Sequence, residues 1–257
     1  MIGGMLAVPA MAEVVLESVV YDVDGVEMHG TLAYDSGVSE PRPGVLVVHE
    51  WWGHDDHARA RAAALAEEGY VALALDMYGE GRTADHPQTA SEFASEIRSN
   101  RDLMLRRFDG AHAWLGSHER VADQSLAALG YCFGGSVVLE AARAGRDLSV
   151  VASFHGGLGT QNPANAETLR AEVLVFNGAA DPLVPAEQIA AFREEMDAAQ
   201  ATYTFVDYSG VRHSFTNPGA DALAEKFGMP VGYDERAART SWTHTLEALR
   251  VKAQTTE

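Results

Sequence analysis

Five short, continuous apolar runs constrain the fold of this chain more than any other feature. The first of them, Gly44–Val48, follows two prolines and contains no polar side chain. A run of that length, bounded by turn-forming residues, is typical of a strand buried on both faces, as strands of parallel sheets are. We therefore predict buried parallel strands at this run and at the four others, which cover residues 71–75, 126–131, 148–153 and 173–176.

Helical patterns lie between these runs. Asp55 and Asp56 are typical capping residues before an Ala-rich segment that reaches Glu68, where Gly69 ends it. Apolar residues keep to one face through the longer stretch 88–115. Further helical patterns cover residues 136–144, 186–199 and 238–249. Strands that alternate with helices predict an α/β fold with a mainly parallel central sheet flanked by helices.

Two other segments complete the predicted sheet. The Asp24-Gly25 pair separates the β-branched segments 14–23 and 26–34, which is the usual sign of a two-residue hairpin. An aromatic run at 203–208 predicts the last strand. One hydrophobic core can serve a chain of 257 residues, and no linker or repeat divides it. We therefore expect a single domain over residues 13–257.

Composition excludes several classes of partner. The chain has 37 Asp and Glu against 19 Lys and Arg, a formal net charge of -18, so nucleic acid or an anionic membrane surface would be repelled. No apolar run is long enough to span a membrane. Residues 1–12 end in Ala10-Met11-Ala12 and have two interpretations, the end of a secretory signal or a frayed terminus. The compartment therefore stays open between the cytoplasm and the periplasm or exterior.

The segment Gly130–Gly135 is the strongest local signal for chemistry. It lies between a predicted strand and a predicted helix and has the pattern of a strained turn that exposes a nucleophile, here Cys132. The partial positive charge of a helix N-terminus favours the reactive thiolate. The alternative is a small, inert, buried cysteine in a Gly-rich turn. Because Cys132 is the only cysteine, there is no internal disulfide and no multi-cysteine metal site.

Two later loops supply the histidine and the acid that accompany a nucleophile in a catalytic triad. Asp181 follows the predicted strand 173–176, and His213 follows the strand 203–208. The order nucleophile, acid, histidine is that of α/β-hydrolases, and the carboxyl ends of parallel strands meet at one edge of the sheet. Taken singly, Asp181 before Pro182 could be a turn-former, and one histidine among ten could follow a strand by chance. The three together predict a catalytic triad.

These motifs, with residues 48–53 and 75–78, resemble the dienelactone hydrolase family, whose members are carboxymethylenebutenolidase-like α/β-hydrolases. The resemblance extends from about residue 26 to residue 249. It implies a Cys132, His213 and Asp181 triad with no cofactor. It also implies that Glu50 is a switch that pairs with the resting thiol and moves when substrate arrives. The oxyanion would be held by the backbone N–H groups of Trp51 and Phe133.

One departure from the family pattern concerns the substrate. Family members that take dienelactone hold its carboxylate partly with an arginine four residues after the histidine, where this chain has Asn217. Arg98, Arg101 and Arg212 are the candidates to replace it, and the alternative is that they are solvent-facing structural residues. We assign the substrate pocket, beyond these, to the side chains of Trp52, Tyr78 and Phe215.

Other chemistries are less well supported. His49 and His54 are five residues apart, whereas a zinc-protease helix needs four. A cation at His54, Asp55, Asp56 and His57 is a weaker interpretation than a solvated helix cap. No Gly-rich phosphate-binding motif follows a strand, so no nucleotide cofactor is indicated. His155 after a strand and His86 in a loop have two interpretations, as residues that line the site or as ordinary surface residues, and we favour the second.

A sulfur nucleophile restricts the substrate. Sulfur leaves a tetrahedral intermediate more readily than an alkoxide, because an ordinary cysteine thiol has a pKa of about 8.5. We therefore expect hydrolysis of aryl esters, thioesters and enol-lactones in preference to alkyl esters, by a monomer or small homo-oligomer acting on a small molecule. The alternative from another class is a non-catalytic receptor that binds a small ester or lactone.

Overall fold

The structure, a computed structural model, describes residues 13–122 and 125–255. In this part of the chain eight strands form one sheet in the order β1-β2-β4-β3-β5-β6-β7-β8. β1 and β2 form an antiparallel hairpin, β2 pairs antiparallel with β4, and every other neighbouring pair is parallel. The strands are β1 (Val14–Val23), β2 (Val26–Asp35), β3 (Gly44–Val48), β4 (Val71–Leu75), β5 (Leu126–Tyr131), β6 (Leu148–Phe154), β7 (Glu172–Gly178) and β8 (Tyr203–Tyr208).

Helices cover both faces of this sheet. Every residue of β3, β4 and β5 is buried, as the apolar runs predict for strands covered on both sides. The predicted α/β-hydrolase fold with a mainly parallel sheet is therefore confirmed. The helices are α1 (Asp56–Glu67), α2 (Pro87–Arg98), α3 (Arg101–Gly116), α4 (Phe133–Arg143), α5 (Ala186–Ala198), α6 (Ala220–Phe227) and α7 (Glu235–Thr255).

The helix predictions need three corrections. The stretch 88–115 is not one helix but two, because the Asn100 side chain accepts a hydrogen bond from the N–H of Leu103 at 3.0 Å and starts α3. α4 begins at Phe133 and not at residue 136, since the two intervening glycines are already helical. α6 was not predicted. It is only eight residues long and ends at Gly228, whose φ of 66° lies in the left-handed region.

No helix within the described ranges is both long enough and apolar enough to cross a membrane. The signal-like segment 1–12 lies outside the described residues. The topology brings the carboxyl ends of β3, β5, β6, β7 and β8 to one edge of the sheet, where open α/β sheets bind ligands.

Candidate active site

Cys132 lies in a strained turn between β5 and α4. Its φ of 53° and ψ of -111° fall in a region that non-glycine residues rarely adopt. The turn is possible because a Cβ on Gly130 would collide with the carbonyl of Gly134, and one on Gly134 with the carbonyl of Val48. The glycines of the motif therefore allow the backbones to touch, and the mostly buried thiol is presented at the N-terminus of α4.

His213 and Asp181 form a buried hydrogen-bonded pair in the loops after β8 and β7. His213 Nδ1 and Asp181 Oδ2 are 2.6 Å apart, and the other carboxylate oxygen accepts from the N–H of Leu183 at 2.8 Å. Because an ionised carboxylate only accepts hydrogen bonds, Nδ1 carries the proton. Among the residues that the structure describes, buried His213 Nε2 makes no hydrogen bond, and the nearby Cys132 sulfur is one of the groups that raise the pKa of His213.

The charge state of His213 depends on these two partners. Burial disfavours the imidazolium, but the Cys132 sulfur and the hydrogen bond to Asp181 outweigh it and raise the pKa of His213 to about 10. The histidine is therefore protonated through the neutral range as long as the sulfur beside it is ionised. A protonated imidazole beside a cysteine favours the thiolate form of that cysteine.

Two backbone N–H groups beside the thiol are free to bind an anion. Phe133 is the first residue of α4, where N–H groups have no partner within the helix. Neither its N–H nor that of Trp51 has an acceptor among the residues that the structure describes. These are the two groups that the family resemblance assigns to the oxyanion hole.

Tyr78 supports the backbone of Trp51. The tyrosine is fully buried, and its hydroxyl donates to the Trp51 carbonyl at 2.9 Å. The loop that carries it is fixed by the buried Asp76, which accepts from the N–H groups of Tyr78, Gly79 and Gly81 at 2.8, 2.9 and 3.0 Å. Tyr78 was predicted to bind substrate, but the structure places it beneath the site as a positioning residue.

Phe215 was also predicted to line the substrate pocket, and the structure places it in the core. It is fully buried and packs against Tyr208 and the ring of His155 at centroid distances of 5.5 and 5.1 Å. Aromatic residues near a sheet edge resemble pocket residues in the sequence, and only the packing distinguishes the two.

Glu50 faces the loop that carries His213. Its carboxylate is almost fully buried and accepts from Ser214 Oγ at 2.8 Å and from Asn217 Nδ2 at 2.7 Å. Burial raises the pKa of Glu50, while the hydrogen bonds from Asn217 and Ser214 oppose that shift. The resemblance implies a carboxylate paired with the resting thiol; in this structure its oxygens are taken by Ser214 and Asn217. Asn217 therefore contacts Glu50.

The three candidate arginines have different surroundings. Arg101 is bound to Glu140 at 2.6 Å, and Arg212 lies 3.6 Å from Asp221, so both have carboxylate partners. Arg98 lies over the ring of Phe133 at 5.4 Å and has no carboxylate partner in the described part of the chain. Its guanidinium remains free to bind an anionic group beside the oxyanion hole.

An open cleft of about 570 Å³ adjoins the Glu50 side of the site. Trp52, Leu223 and Phe227 form an apolar part of its wall, and Asn217 belongs to both the cleft and the Glu50 contact. The remainder is lined partly by charged side chains of both signs, among them Asp55, Asp85, Arg59 and Lys226. Trp52 therefore lies where a substrate or leaving group could contact it.

Asp55 and His49, near the start of α1, make hydrogen bonds to backbone N–H groups. Asp55 caps α1 by accepting from the N–H of Ala58 at 3.1 Å, as predicted for a helix cap. The buried His49 accepts from the N–H of Met77 through Nε2 at 3.2 Å. Within the described ranges, no three His, Cys, Asp or Glu side chains are placed to hold a metal ion.

For His155 the favoured interpretation as a surface residue was wrong, and the structure places it nearer to the alternative, beside the site. It is fully buried at the end of β6, between Cys132 and the His213 loop. Its position after a strand of a parallel sheet was a usable signal, because that places it at the same edge as the triad. His86 is exposed, as expected, and its ring accepts from the N–H of Gln88 at the start of α2.

Comparison with known proteins agrees with this geometry. The model of the dienelactone hydrolase family matches residues 28–252. A dienelactone hydrolase-like promiscuous phosphotriesterase from metagenomic libraries has a TM-score of 0.85 and 33% identity, covering 94% of this chain and 98% of that one. Protein usf of Aquifex pyrophilus is 25% identical and covers 90% of this chain and 96% of its own. A Bradyrhizobium relative named as a probable 2-oxo-3-(5-oxofuran-2-ylidene)propanoate lactonase is 28% identical over 81% of this chain and 83% of its own.

Proposed function

Since this chain belongs to the dienelactone hydrolase family, we propose that it is a cofactor-free hydrolase of activated esters or enol-lactones that acts through Cys132, His213 and Asp181. The observation that carries the proposal is the buried Asp181–His213 hydrogen bond, which holds the imidazole near the Cys132 sulfur and leaves Nε2 without a partner among the described residues. A receptor has no need of this arrangement.

The acylation step uses the groups already in place. The Cys132 thiolate attacks the acyl carbon, a C–S bond forms, and the carbonyl electron pair moves to the oxygen between the N–H groups of Trp51 and Phe133. The electron pair returns, and the C–O bond to the leaving group breaks. The imidazolium of His213 supplies the proton that the leaving oxygen takes up, and a thioester remains.

Deacylation follows from a change in the pKa of His213. The sulfur of a thioester carries no charge, so the electrostatic attraction that holds the proton on His213 is lost. The effect of burial, which lowers the pKa, remains. Neutral His213 then takes a proton from water, which attacks the thioester carbon. The C–S bond breaks, and the acid product, the thiolate and the imidazolium are formed.

The leaving group decides which esters are turned over. When the tetrahedral intermediate collapses, sulfur competes with the leaving oxygen, and an ordinary thiol has a pKa of about 8.5. Phenolate and enolate compete well against sulfur, whereas an alkoxide does not. The lactone named for the Bradyrhizobium relative has an enol-type leaving group, so it belongs in the substrate panel, and a phosphotriester is added because the structural relative is named as a phosphotriesterase.

The test uses p-nitrophenyl acetate. Iodoacetamide should add one label, on the only cysteine, and abolish turnover, and Cys132→Ala should be inactive. At equal acyl size, kcat/KM should rise steeply from ethyl to p-nitrophenyl esters. Full activity in the labelled protein or in Cys132→Ala would remove the proposed mechanism. Binding of a lactone without turnover by the native protein would favour the receptor.

A further inference from the structure

We propose that His155 is a positioning residue that ties the nucleophile to the loop that carries His213. Its neutral imidazole accepts from the backbone N–H of Cys132 at one nitrogen and donates to Thr216 at the other. This inference rests on the proposed function of Cys132 and His213, and it assigns a role to a buried group outside the triad.

The first contact fixes the tautomer. The N–H of Cys132 lies 3.1 Å from His155 Nδ1 and 3.0 Å from the carbonyl oxygen of Phe154, so it is shared between the two. A backbone N–H can only donate, and Nδ1 must therefore be unprotonated. A neutral imidazole then carries its proton on Nε2.

The second contact uses that proton. His155 Nε2 lies 2.8 Å from Thr216 Oγ1, which accepts the hydrogen bond. Thr216 is three residues after His213, and the same loop presents Ser214 and Asn217 to Glu50. Through its two hydrogen bonds the imidazole of His155 is therefore a bridge that links the turn that carries Cys132 to the loop that carries His213. These two segments bring the Cys132 sulfur and His213 Nε2 together.

The surroundings keep this bridge neutral. The ring of His155 meets that of His213 edge-on at a centroid distance of 5.1 Å. Burial, and then the neighbouring His213 and His57, hold the pKa of His155 well below its usual value of 6.5. A proton on Nδ1 would break the contact to Cys132 and place a second cation beside the His213 imidazolium.

The backbone shows why a rigid support is needed here. Cys132 and His155 both have positive φ values, 53° and 42°, which cost energy for residues with a side chain. Gly156 lies so close to Gly135 that a Cβ on it would collide with that residue. Two strained turns are thus packed against each other, and the imidazole joins them.

Three variants separate the two contacts. His155→Phe keeps the ring shape and removes both hydrogen bonds. His155→Asn keeps an acceptor at the position of Nδ1, and His155→Gln keeps a donor at the position of Nε2. We expect His155→Phe to lower kcat/KM for p-nitrophenyl acetate about ten- to a hundredfold, mostly in kcat, because small misplacements of reacting groups have effects of that size.

The pH profile of Cys132 alkylation by iodoacetamide distinguishes positioning from mere packing. His155→Phe should shift this profile, and His155→Asn should restore it towards that of the native protein. Thr216→Val, which removes only the second contact, should resemble His155→Asn, and Thr216→Ser, which keeps the hydroxyl, should be close to native. A folded His155→Phe protein with native kcat/KM and a native alkylation profile would overturn the proposal.

A spectroscopic test needs no variant. In the native protein, ¹⁵N NMR should show an unprotonated Nδ1 and a protonated Nε2 for His155 that persist through the neutral range. Titration of His155 near its ordinary pKa, or the opposite tautomer, would refute the bridge even if the variants fail to fold. If Cys132→Ala retains turnover, the proposed function itself has failed; an inactive Cys132→Ala beside a fully active His155→Phe refutes only the bridge.

Discussion

Asn217→Asp replaces one atom in the hydrogen bond that holds Glu50. Asn217 Nδ2 donates to Glu50 Oε2 at 2.7 Å, while Asn217 Oδ1 accepts from the N–H of Gly219 at 2.9 Å. An aspartate at position 217 keeps the contact with the N–H of Gly219 but places a second carboxylate against that of Glu50. The variant therefore isolates the donor that opposes the burial-induced rise in the pKa of Glu50.

The expected magnitude follows from this geometry. A hydrogen bond to a charged group contributes about 1.5–3 kcal/mol, and this one is lost when both carboxylates are ionised. Two carboxylates at this distance must share a proton, so the pKa of the pair is raised in the folded state. A raised folded pKa gives stability that is present at low pH and lost as the pH rises through it. Each pH unit between the ordinary carboxyl pKa of the unfolded chain and this raised pKa costs about 1.4 kcal/mol, and the loss levels off above the raised pKa.

Thermal unfolding at two pH values measures this. At about pH 8, Asn217→Asp should lose about 3 kcal/mol, which for a chain of this size is a fall in Tm of roughly 6–12 °C. At about pH 5 the shared proton restores a hydrogen bond between residues 50 and 217, and the loss should be under about 1 kcal/mol.

The matched control is the double variant Glu50→Gln/Asn217→Asp. In this variant the carboxylate is at position 217 and the glutamine amide at position 50 donates the hydrogen bond to it. Most of the stability that Asn217→Asp loses at about pH 8 should therefore be recovered. Equal destabilisation at both pH values, or no recovery in the double variant, would refute the assignment of Asn217 as the donor to a buried, ionised Glu50.

Three further predictions concern the chemistry. Cys132→Ala should lower the pKa of His213 from about 10, because the sulfur is the largest contributor raising it, and an NMR titration of the imidazole that still ends near 10 would contradict this. If Arg98 binds a substrate carboxylate, Arg98→Gln should reduce kcat/KM for a lactone with a free carboxylate about ten- to a hundredfold and leave its methyl ester unchanged, whereas Arg101→Gln should not discriminate between the two. Tyr78→Phe should lower kcat more than it raises KM, since its hydroxyl supports the Trp51 backbone; a change in KM alone would indicate substrate contact instead.

Most of the fold could be predicted from the sequence because its signals are local. Apolar runs such as Gly44–Val48 identify buried strands wherever a sheet is covered on both faces. The proximity of Asp181 and His213 was predictable for a related reason: residues that follow strands of a parallel sheet meet at one edge, and the structure brings the two within hydrogen-bonding distance there. The break between α2 and α3 was missed because Asn100 as a helix cap is a weak signal inside an amphipathic stretch.

The partners of the buried polar groups could not be predicted in the same way. Glu50 and Asn217 are 167 residues apart in sequence, and His155 and Thr216 are 61 apart. The position of His155 after a strand indicates the edge of the sheet where it lies, but not which groups its two ring nitrogens contact. Only the packing of two loops shows that its two ring nitrogens are both occupied.

The five residues 213–217 join these contacts into one unit. His213 binds Asp181, Ser214 and Asn217 hold Glu50, and Thr216 accepts from His155, which in turn holds Cys132. A substitution at position 217 therefore changes the surroundings of the buried Glu50 carboxylate, whether or not it also changes contacts with a substrate. Replacing Asn217 by the arginine of dienelactone-hydrolysing relatives would first give Glu50 a cationic partner and stabilise its ionised form. If Asn217→Arg acts through substrate recognition, kcat/KM should rise more for lactones with a free carboxylate than for their methyl esters. An equal rise for both would be assigned to the changed charge of Glu50.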